Sequence, residues 1–179
     1  MAFRLPRPLA SEALYQYALG LLSRRDHSSA EMRTKLKRRA ALADDIEPTI
    51  IRLEEVGFLN DRRFATSFAD VRKQSGVVGK QRVLRDLAVK RVPSEMAVEI
   101  TTDAYADTDE VALVTGYMER KFRGKDLPVY LAEPKHLQSA YRRLRLAGFS
   151  SQTTIKVLKR FAAGAESLDS LEDVDEQST

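Results

Sequence analysis

The chain has 179 residues, of which 43% are hydrophobic and 31% are charged, and its formal net charge is +4. This size suits one ordinary domain or a short array of small ones with a buried core. The absence of cysteine excludes a disulfide framework and a thiolate metal site. No apolar run reaches the roughly 18 residues that a membrane-spanning helix needs. We therefore expect a soluble, cytoplasmic protein with no signal peptide and no membrane contact.

The first predicted repeat, residues 11–59, follows a short N-terminal arm at 1–10. Leu14, Ala18 and Leu21 have helical spacing. Ser28 and Glu31 form a capping-box pattern at the start of a second helix, which is centred on Leu36, and Glu31 is also placed to pair with Lys35. The acids Asp44 and Asp45 predict the start of a third helix, which Gly57 is expected to end. The apolar face of that helix comprises Ile46, Ile50, Leu53 and Val56.

The second predicted repeat, residues 60–106, restates this pattern. Asn60 and Asp61 are good capping residues, and the face of the first helix is Phe64, Phe68 and Val71. Gly76 and Gly79 bracket a turn before a second helix centred on Leu87. Pro93 opens a third helix, whose predicted apolar face is Ala97, Val98, Thr101 and Ala104.

The third predicted repeat, residues 107–164, contains a looser stretch before Pro134 and a second helix centred on Leu144. Gly148 predicts a helix end, and Ser150 and Ser151 are capping residues for the last helix, which Ile155, Leu158 and Phe161 line. The three leucines recur at a spacing of just over fifty residues, which is typical of repeat proteins. No segment alternates with the period of a strand. We therefore predict an all-α fold, with three tandem three-helix repeats.

The C-terminal segment, residues 165–179, is acidic and contains no Lys or Arg. Its six acids are Glu166, Asp169, Glu172, Asp173, Asp175 and Glu176. Its polar composition predicts a disordered tail that aids solubility. A competing interpretation is that the tail folds back on the basic residues of the body as a competitor.

Catalytic patterns are weak in this chain. Its two histidines, His27 and His136, occupy non-equivalent places in different repeats, which favours surface or turn positions over a metal site. The run Gly76–Lys80 lacks the spacing of a phosphate-binding loop and is interpreted as a turn. We therefore predict no enzyme activity, no cofactor and no metal ion.

Basic residues are the better functional candidates because they recur around each repeated leucine. Any single one of them is consistent with a solvated helix face, but an array could align them in one strip. Such a strip suits a filament or a nucleic-acid backbone. The candidate contact residues of this basic strip are Arg33, Lys35, Lys37, Arg38, Arg39, Arg72, Arg82, Arg85, Arg142, Arg143 and Arg145.

Three segments resemble the RecX family of regulatory proteins: Arg24–Leu36, Gly57–Phe68 with Arg72, and Leu144–Leu158. The resemblance covers roughly residues 11–162, and Arg91 stands where the second repeat of the family often has glycine. It implies an elongated, curved array that lodges in the groove of a RecA filament on single-stranded DNA. It also implies inhibition of ATP hydrolysis, strand exchange and co-protease activity.

Two other interpretations remain open. The protein is a direct nucleic-acid binder, or it is a scaffold for another acidic protein. In the first interpretation, single-stranded DNA is contacted directly, whereas in the RecA interpretation it is reached through the filament. We expect the chain to act as a monomer.

Overall fold

The computed structural model describes residues 7–162, and this part of the chain is helical, as the periodicity predicts. Its helices are α1 (Ser11–Leu22), α2 (Ser29–Lys37), α3 (Ile46–Glu55), α4 (Asp61–Gln74), α5 (Lys80–Val89), α6 (Ser94–Tyr105), α7 (Glu110–Lys121), α8 (Leu127–Leu131), α9 (Pro134–Ala147) and α10 (Ser151–Phe161). A 3₁₀ turn at Ala43–Asp45 precedes α3. The only strand-like pairing within residues 7–162 is one isolated bridge between Leu9 and Ala40. The acidic tail at 165–179 lies outside the described residues, as does most of the N-terminal arm.

The chain divides into two compact units. Unit 1 contains the described residues up to Ser67 together with Leu87–Ile100. In its core, α1 and α2 pack against α3. The buried side chains of this core are Leu14, Tyr15, Ala18, Met32, Leu36, Ile50, Leu53 and Leu59. All of them except Leu59, which follows α3, lie on one face of a helix, so burial of one stripe per helix explains why the three helices associate.

Unit 2 contains Phe68–Asp86 and the described residues from Thr101 onward. Its core is built where α10 packs against α7 and α9. Its buried side chains include Val114, Met118, Phe122, Leu131, Leu137, Tyr141, Leu144, Phe149, Ile155 and Leu158. Phe149 is fully buried and meets Tyr117 edge to face, with ring centroids 5.8 Å apart.

Helix starts agree closely with the sequence signals. The Ser28 hydroxyl accepts the Glu31 amide at 3.1 Å, and the Asn60 side chain accepts the Arg63 amide at 2.8 Å. Ser150 caps α10 by accepting the Thr153 amide at 3.2 Å. Each of these bonds satisfies a backbone donor that the first helical turn leaves without a partner.

Several predicted core positions are wrong. Val56, Val71 and Val98 are all at least half exposed, whereas the three repeated leucines are fully buried. In α6 the buried positions are Ala97, Ile100 and Thr101, which turns Val98 toward solvent at 52% exposure. The apolar stripe predicted from the sequence is wider than the face that a neighbouring helix covers. Valines at the edge of the stripe are therefore exposed, although the sequence predicts them to be buried.

His27 lies in the turn before α2, one of the two kinds of position expected for it, and its side chain is buried there. The stretch before Pro134, expected to be loose, contains the short helix α8, whose start Asp126 caps by accepting the Val129 amide. The division into three repeats with boundaries after residues 59 and 106 stays a prediction.

Candidate functional site

The first structural element of interest lies in unit 1, where the end of α5 meets the beginning of α2. The Ser28 hydroxyl, which caps α2, also donates a 2.7 Å hydrogen bond to the Lys90 carbonyl oxygen. The Lys90 ammonium donates to the Glu31 carboxylate at 2.6 Å, and Arg25 donates to the same carboxylate at 3.3 Å. We call this arrangement the charged joint. Glu31 therefore pairs with Lys90 and Arg25 rather than with Lys35, the partner expected from helical spacing.

Burial and charge set the ionisation of the charged joint. Burial raises the pKa of the Glu31 carboxyl, but hydrogen bonds from Lys90 and Arg25 lower it more, to about 2. Burial lowers the pKa of His27, and the nearby Arg25 guanidinium lowers it further. The His27 Nδ1 lies 3.6 Å from Glu31 and accounts for one of the buried polar atoms without a hydrogen bond. The joint thus holds an ionised carboxylate between two cations, beside a histidine that resists protonation.

The matching element in unit 2 lies where the end of α9 meets the beginning of α5. The Gly79 amide donates to the Ala147 carbonyl oxygen at 2.8 Å, and the Gln81 amide donates to the Gly148 carbonyl oxygen at 3.1 Å. A Cβ atom on Gly148 would lie 2.2 Å from the Arg82 amide nitrogen, and Gly148 has a φ of +92°. We call this the glycine joint. Direct backbone contact and a left-handed conformation both require glycine there.

A basic groove of about 320 Å³ lies beside the charged joint. Its cations come from three segments of unit 1 and are Arg25, Lys35, Arg38, Lys90 and Arg91. Glu31 is its one acidic lining residue within the described part of the chain, and two of these cations already neutralise it. Val89, at 80% exposure, lies in the same groove. This surface, the unit 1 groove, therefore combines excess positive charge with an exposed apolar side chain.

A larger groove of about 710 Å³ lies beside the glycine joint in unit 2. Arg85, Arg142 and Arg145 line it together with Leu146, which is 64% exposed, and no acid among residues 7–162 lines it. Arg85 donates to the Leu146 carbonyl oxygen at 3.0 Å, and Arg145 donates to the Phe149 carbonyl oxygen at 2.7 Å. These bonds hold both guanidinium groups in position, and the carbonyl oxygens that accept them carry no net charge. We call this the unit 2 groove.

A third groove, of about 350 Å³, shares Leu146 with the unit 2 groove and contains Arg72, Arg82 and Arg143. Its charge is partly neutralised within the protein. Asp86 accepts a hydrogen bond from Arg82 at 2.8 Å and lies 3.5 Å from Arg72. This groove is therefore a weaker candidate for binding an anionic partner than its neighbour.

The predicted basic residues consequently separate into groups. Lys35 and Arg38 line the unit 1 groove, and six others line the two grooves of unit 2. Arg33 instead forms an ion pair with Glu47 at 2.9 Å, and Arg39 lies over the Tyr17 ring at 5.0 Å. Lys37 is exposed and lines none of the three grooves.

Three cations outside the predicted set, Arg25, Lys90 and Arg91, complete the unit 1 groove. A register signal was present in the sequence for two of them. Val89 and Leu146 each lie two residues after a repeated leucine, and both are exposed within basic grooves. Lys90 and Arg91 follow Val89 directly. Aligning the repeats on Leu87 and Leu144 therefore places these two cations next to the exposed apolar position.

Residues 7–162 contain neither a candidate metal site nor a membrane-spanning helix. No group of three or more His, Asp or Glu side chains there is placed to hold a metal ion. Within the same range, every helix is too short or too polar to cross a membrane.

Comparison with known proteins gives the family. A profile described as the first three-helix domain of RecX matches residues 15–53. The regulatory protein RecX of Ralstonia pickettii is 33% identical over 171 residues, which cover 96% of this chain and 98% of that protein. The regulatory protein RecX of Trichlorobacter lovleyi is 30% identical over 112 residues, covering 63% of this chain and 73% of its own length. The chain belongs to the RecX family of regulatory proteins.

Solved structures agree on the fold. A crystal structure of RecX from Lactobacillus salivarius superposes with a TM-score of 0.64 at 19% identity, covering 84% of this chain and 95% of that one. A second crystal structure of a regulatory protein RecX gives the same TM-score at 18% identity, over 82% and 70% of the two chains.

Proposed function

We propose that this protein binds the RecA recombinase filament and inhibits its ATP hydrolysis, strand exchange and co-protease activity. In this way it would restrain recombinational DNA repair and the SOS response. RecA is proposed as the partner because the chain resembles RecX along most of its length and belongs to that family. The protein is proposed to act as a cytoplasmic monomer and as a regulator, with no enzymatic reaction of its own.

The observation that carries the proposal is the recurrence of one surface in both units. Each unit has an exposed apolar residue, Val89 or Leu146, two positions after a buried leucine and surrounded by cations. Interfaces commonly combine an apolar centre with a charged rim, which provides both affinity and orientation. Two such surfaces in one chain also permit bivalent attachment, in which the second contact forms at a high effective concentration.

Bivalent attachment suggests how inhibition would arise. A ligand shifts a conformational equilibrium only by its difference in affinity for the two states. A chain that contacts two places on a filament binds best when those places have one particular separation. We propose that this separation belongs to a filament state that hydrolyses ATP slowly.

The direct test is the steady-state ATPase of RecA on single-stranded DNA, measured while the protein is titrated in. We expect saturable inhibition. Unchanged hydrolysis at every concentration, together with no binding of the protein to filaments in cosedimentation, would refute the proposal.

A direct nucleic-acid interaction is the second candidate, and the unit 2 groove favours it because no acid among residues 7–162 lines that groove. Titration of labelled single-stranded DNA in the absence of RecA separates the two candidates. For a DNA binder, log affinity falls with log salt by about 0.7 for each phosphate neutralised on a single strand. Inhibition of RecA without measurable DNA binding would instead leave the filament as the partner.

A further inference from the structure

We propose that the acidic C-terminal segment of this chain, residues 165–179, binds in the unit 2 groove and occupies it in the free protein. The groove is lined by Arg85, Arg142, Arg145 and the exposed Leu146, and no acidic residue of the described chain lines it. The inference goes beyond the proposed function because it concerns a contact within the chain. Its test contains no RecA, so the failure of either idea leaves the other standing.

The chemistry of the two partners is complementary. The segment contains six acids and no base, and Leu168, Leu171 and Val174 are interspersed among its carboxylates. The groove offers the reverse arrangement, with guanidinium groups around one exposed leucine. Hydrogen bonds to backbone carbonyl oxygens hold Arg85 and Arg145 in position, which lowers the entropic cost of ordering them around an anion.

The reach of the chain is sufficient. Ser151, the first residue of α10, lines the unit 2 groove, and α10 leads away from it to Phe161. A helix of this length spans about 15 Å at 1.5 Å per residue. Residues beyond Ala162 can cover up to about 3.3–3.6 Å each, so roughly five of them match the length of α10. The remaining acids can then lie along the groove.

Attachment through the same chain makes a weak contact effective. A short tether raises the local concentration of the segment at the groove to about the millimolar range. Such a contact is also sensitive to salt, because the Debye length falls from about 10 Å at 0.1 M to about 3 Å at 1 M ionic strength. A partner that uses the unit 2 groove must therefore first displace the segment.

The experiment uses paramagnetic broadening in the full-length chain. Because the protein has no cysteine, Ser170→Cys introduces a single attachment point for a nitroxide label without removing an acid. The readout is the intensity of the backbone amide signals of Gln81, Arg142, Leu146 and Ser150, with the label oxidised and then reduced. The control carries the same label in a tail neutralised by Glu166→Gln, Asp169→Asn, Glu172→Gln, Asp173→Asn, Asp175→Asn and Glu176→Gln.

At low salt we expect the native segment to broaden the groove signals, with the broadening lost in 1 M NaCl and lost with the neutralised segment. Arg142→Glu should weaken it in the same way while leaving the remaining spectrum unchanged. Equal groove intensities for the native and neutralised segments would overturn the proposal. Broadening that persists at 1 M salt would also overturn it, since the contact would then not depend on charge.

Discussion

The charged joint and the glycine joint solve the same structural problem with different chemistry. In both joints, the C-terminal end of one helix forms hydrogen bonds with the first residues of another helix. The glycine joint does so with two backbone hydrogen bonds and no space for a side chain at Gly148. The charged joint does so through Ser28, Glu31 and Lys90, and Arg91 adopts a φ of +56° at the position where the glycine joint has Gly148.

The two joints differ in how strictly they limit side-chain size and in whether they depend on charge. Backbone contact tolerates almost no change in size, whereas a side-chain joint depends on ionisation and on long, adjustable side chains. Each joint also borders a basic groove, so its chemistry influences the surface beside it. In unit 1 the groove cations Lys90 and Arg25 bind a carboxylate of the joint, whereas in unit 2 the groove cations Arg85 and Arg145 donate to backbone carbonyl oxygens beside the joint.

Gly148→Ala should be the most destabilising single substitution in either joint. The new Cβ would clash with Arg82, and alanine is strained at positive φ. Together these effects should cost about 2–6 kcal/mol of the free energy of unfolding. Urea denaturation provides the measurement.

Gly20→Ala is the matched control, since Gly20 lies in α1 with nothing near its would-be Cβ. There the same change should stabilise the protein by about 0.5–1 kcal/mol through the higher helix propensity of alanine. A Gly148→Ala variant as stable as Gly20→Ala would show that the glycine joint is not close-packed.

Leu144→Ala and Leu146→Ala compare the stability lost at a buried core position and at an exposed groove position of the same helix, α9. Leu144 is fully buried, so its truncation should cost about 2–5 kcal/mol of stability. Leu146 is mostly exposed, and its truncation should change stability by no more than about 0.5 kcal/mol. Thermal and urea unfolding of both variants measure the contrast, and similar losses would contradict the assigned burial.

Some of these features could be predicted from the sequence, and others could not. The leucines and the Ser28, Asn60 and Ser150 caps were predictable because helix periodicity and capping depend on residues close in the chain. The Lys90–Glu31 pair and the burial of His27 were not, because they depend on which distant segment packs there. The same applies to the ion pair between Arg33 and Glu47, which belong to different helices; the place of Arg33 in the basic strip stays a prediction.

Glu31→Gln should weaken the charged joint by about 1.5–3 kcal/mol, the usual range for hydrogen bonds to charged groups. Because the folded-state pKa of Glu31 is lowered to about 2, its ionised form stabilises the fold above the ordinary carboxyl pKa of 4.5. That advantage over the variant should shrink as the pH falls from about 4.5 toward 2.

The measurement is the difference in unfolding free energy between Glu31→Gln and the parent protein at several pH values. Glu12→Gln is the control, because the Glu12–Arg52 pair is solvent-exposed and should contribute less. A difference for Glu31 that is constant between about pH 6 and 3 would contradict the role assigned to its ionisation.

Arg91→Gly should have a smaller effect than Glu31→Gln, and one of the opposite sign. Removing the side chain relieves the positive φ and should stabilise unit 1 by about 1 kcal/mol. Arg91→Ala removes the same charge but keeps the strain, so it should not stabilise the protein. If both variants gain stability equally in urea denaturation, charge repulsion in the unit 1 groove, rather than backbone strain, is the cause.

We propose that the basic grooves contact the RecA filament, and the most direct test is inhibition of the RecA ATPase by charge-reversed variants. One variant combines Lys35→Glu with Arg38→Glu in the unit 1 groove, and a second combines Arg142→Glu in the unit 2 groove with Arg143→Glu in the adjoining third groove. The control combines Lys121→Glu with Arg123→Glu, an equal change of charge at exposed positions that line none of the three grooves. Circular dichroism verifies that each variant is folded.

We predict that each groove variant needs about tenfold more protein for half-maximal inhibition, equivalent to about 1.4 kcal/mol of binding, while the control matches the parent. Folded groove variants that inhibit RecA as well as the parent protein does would contradict the claim.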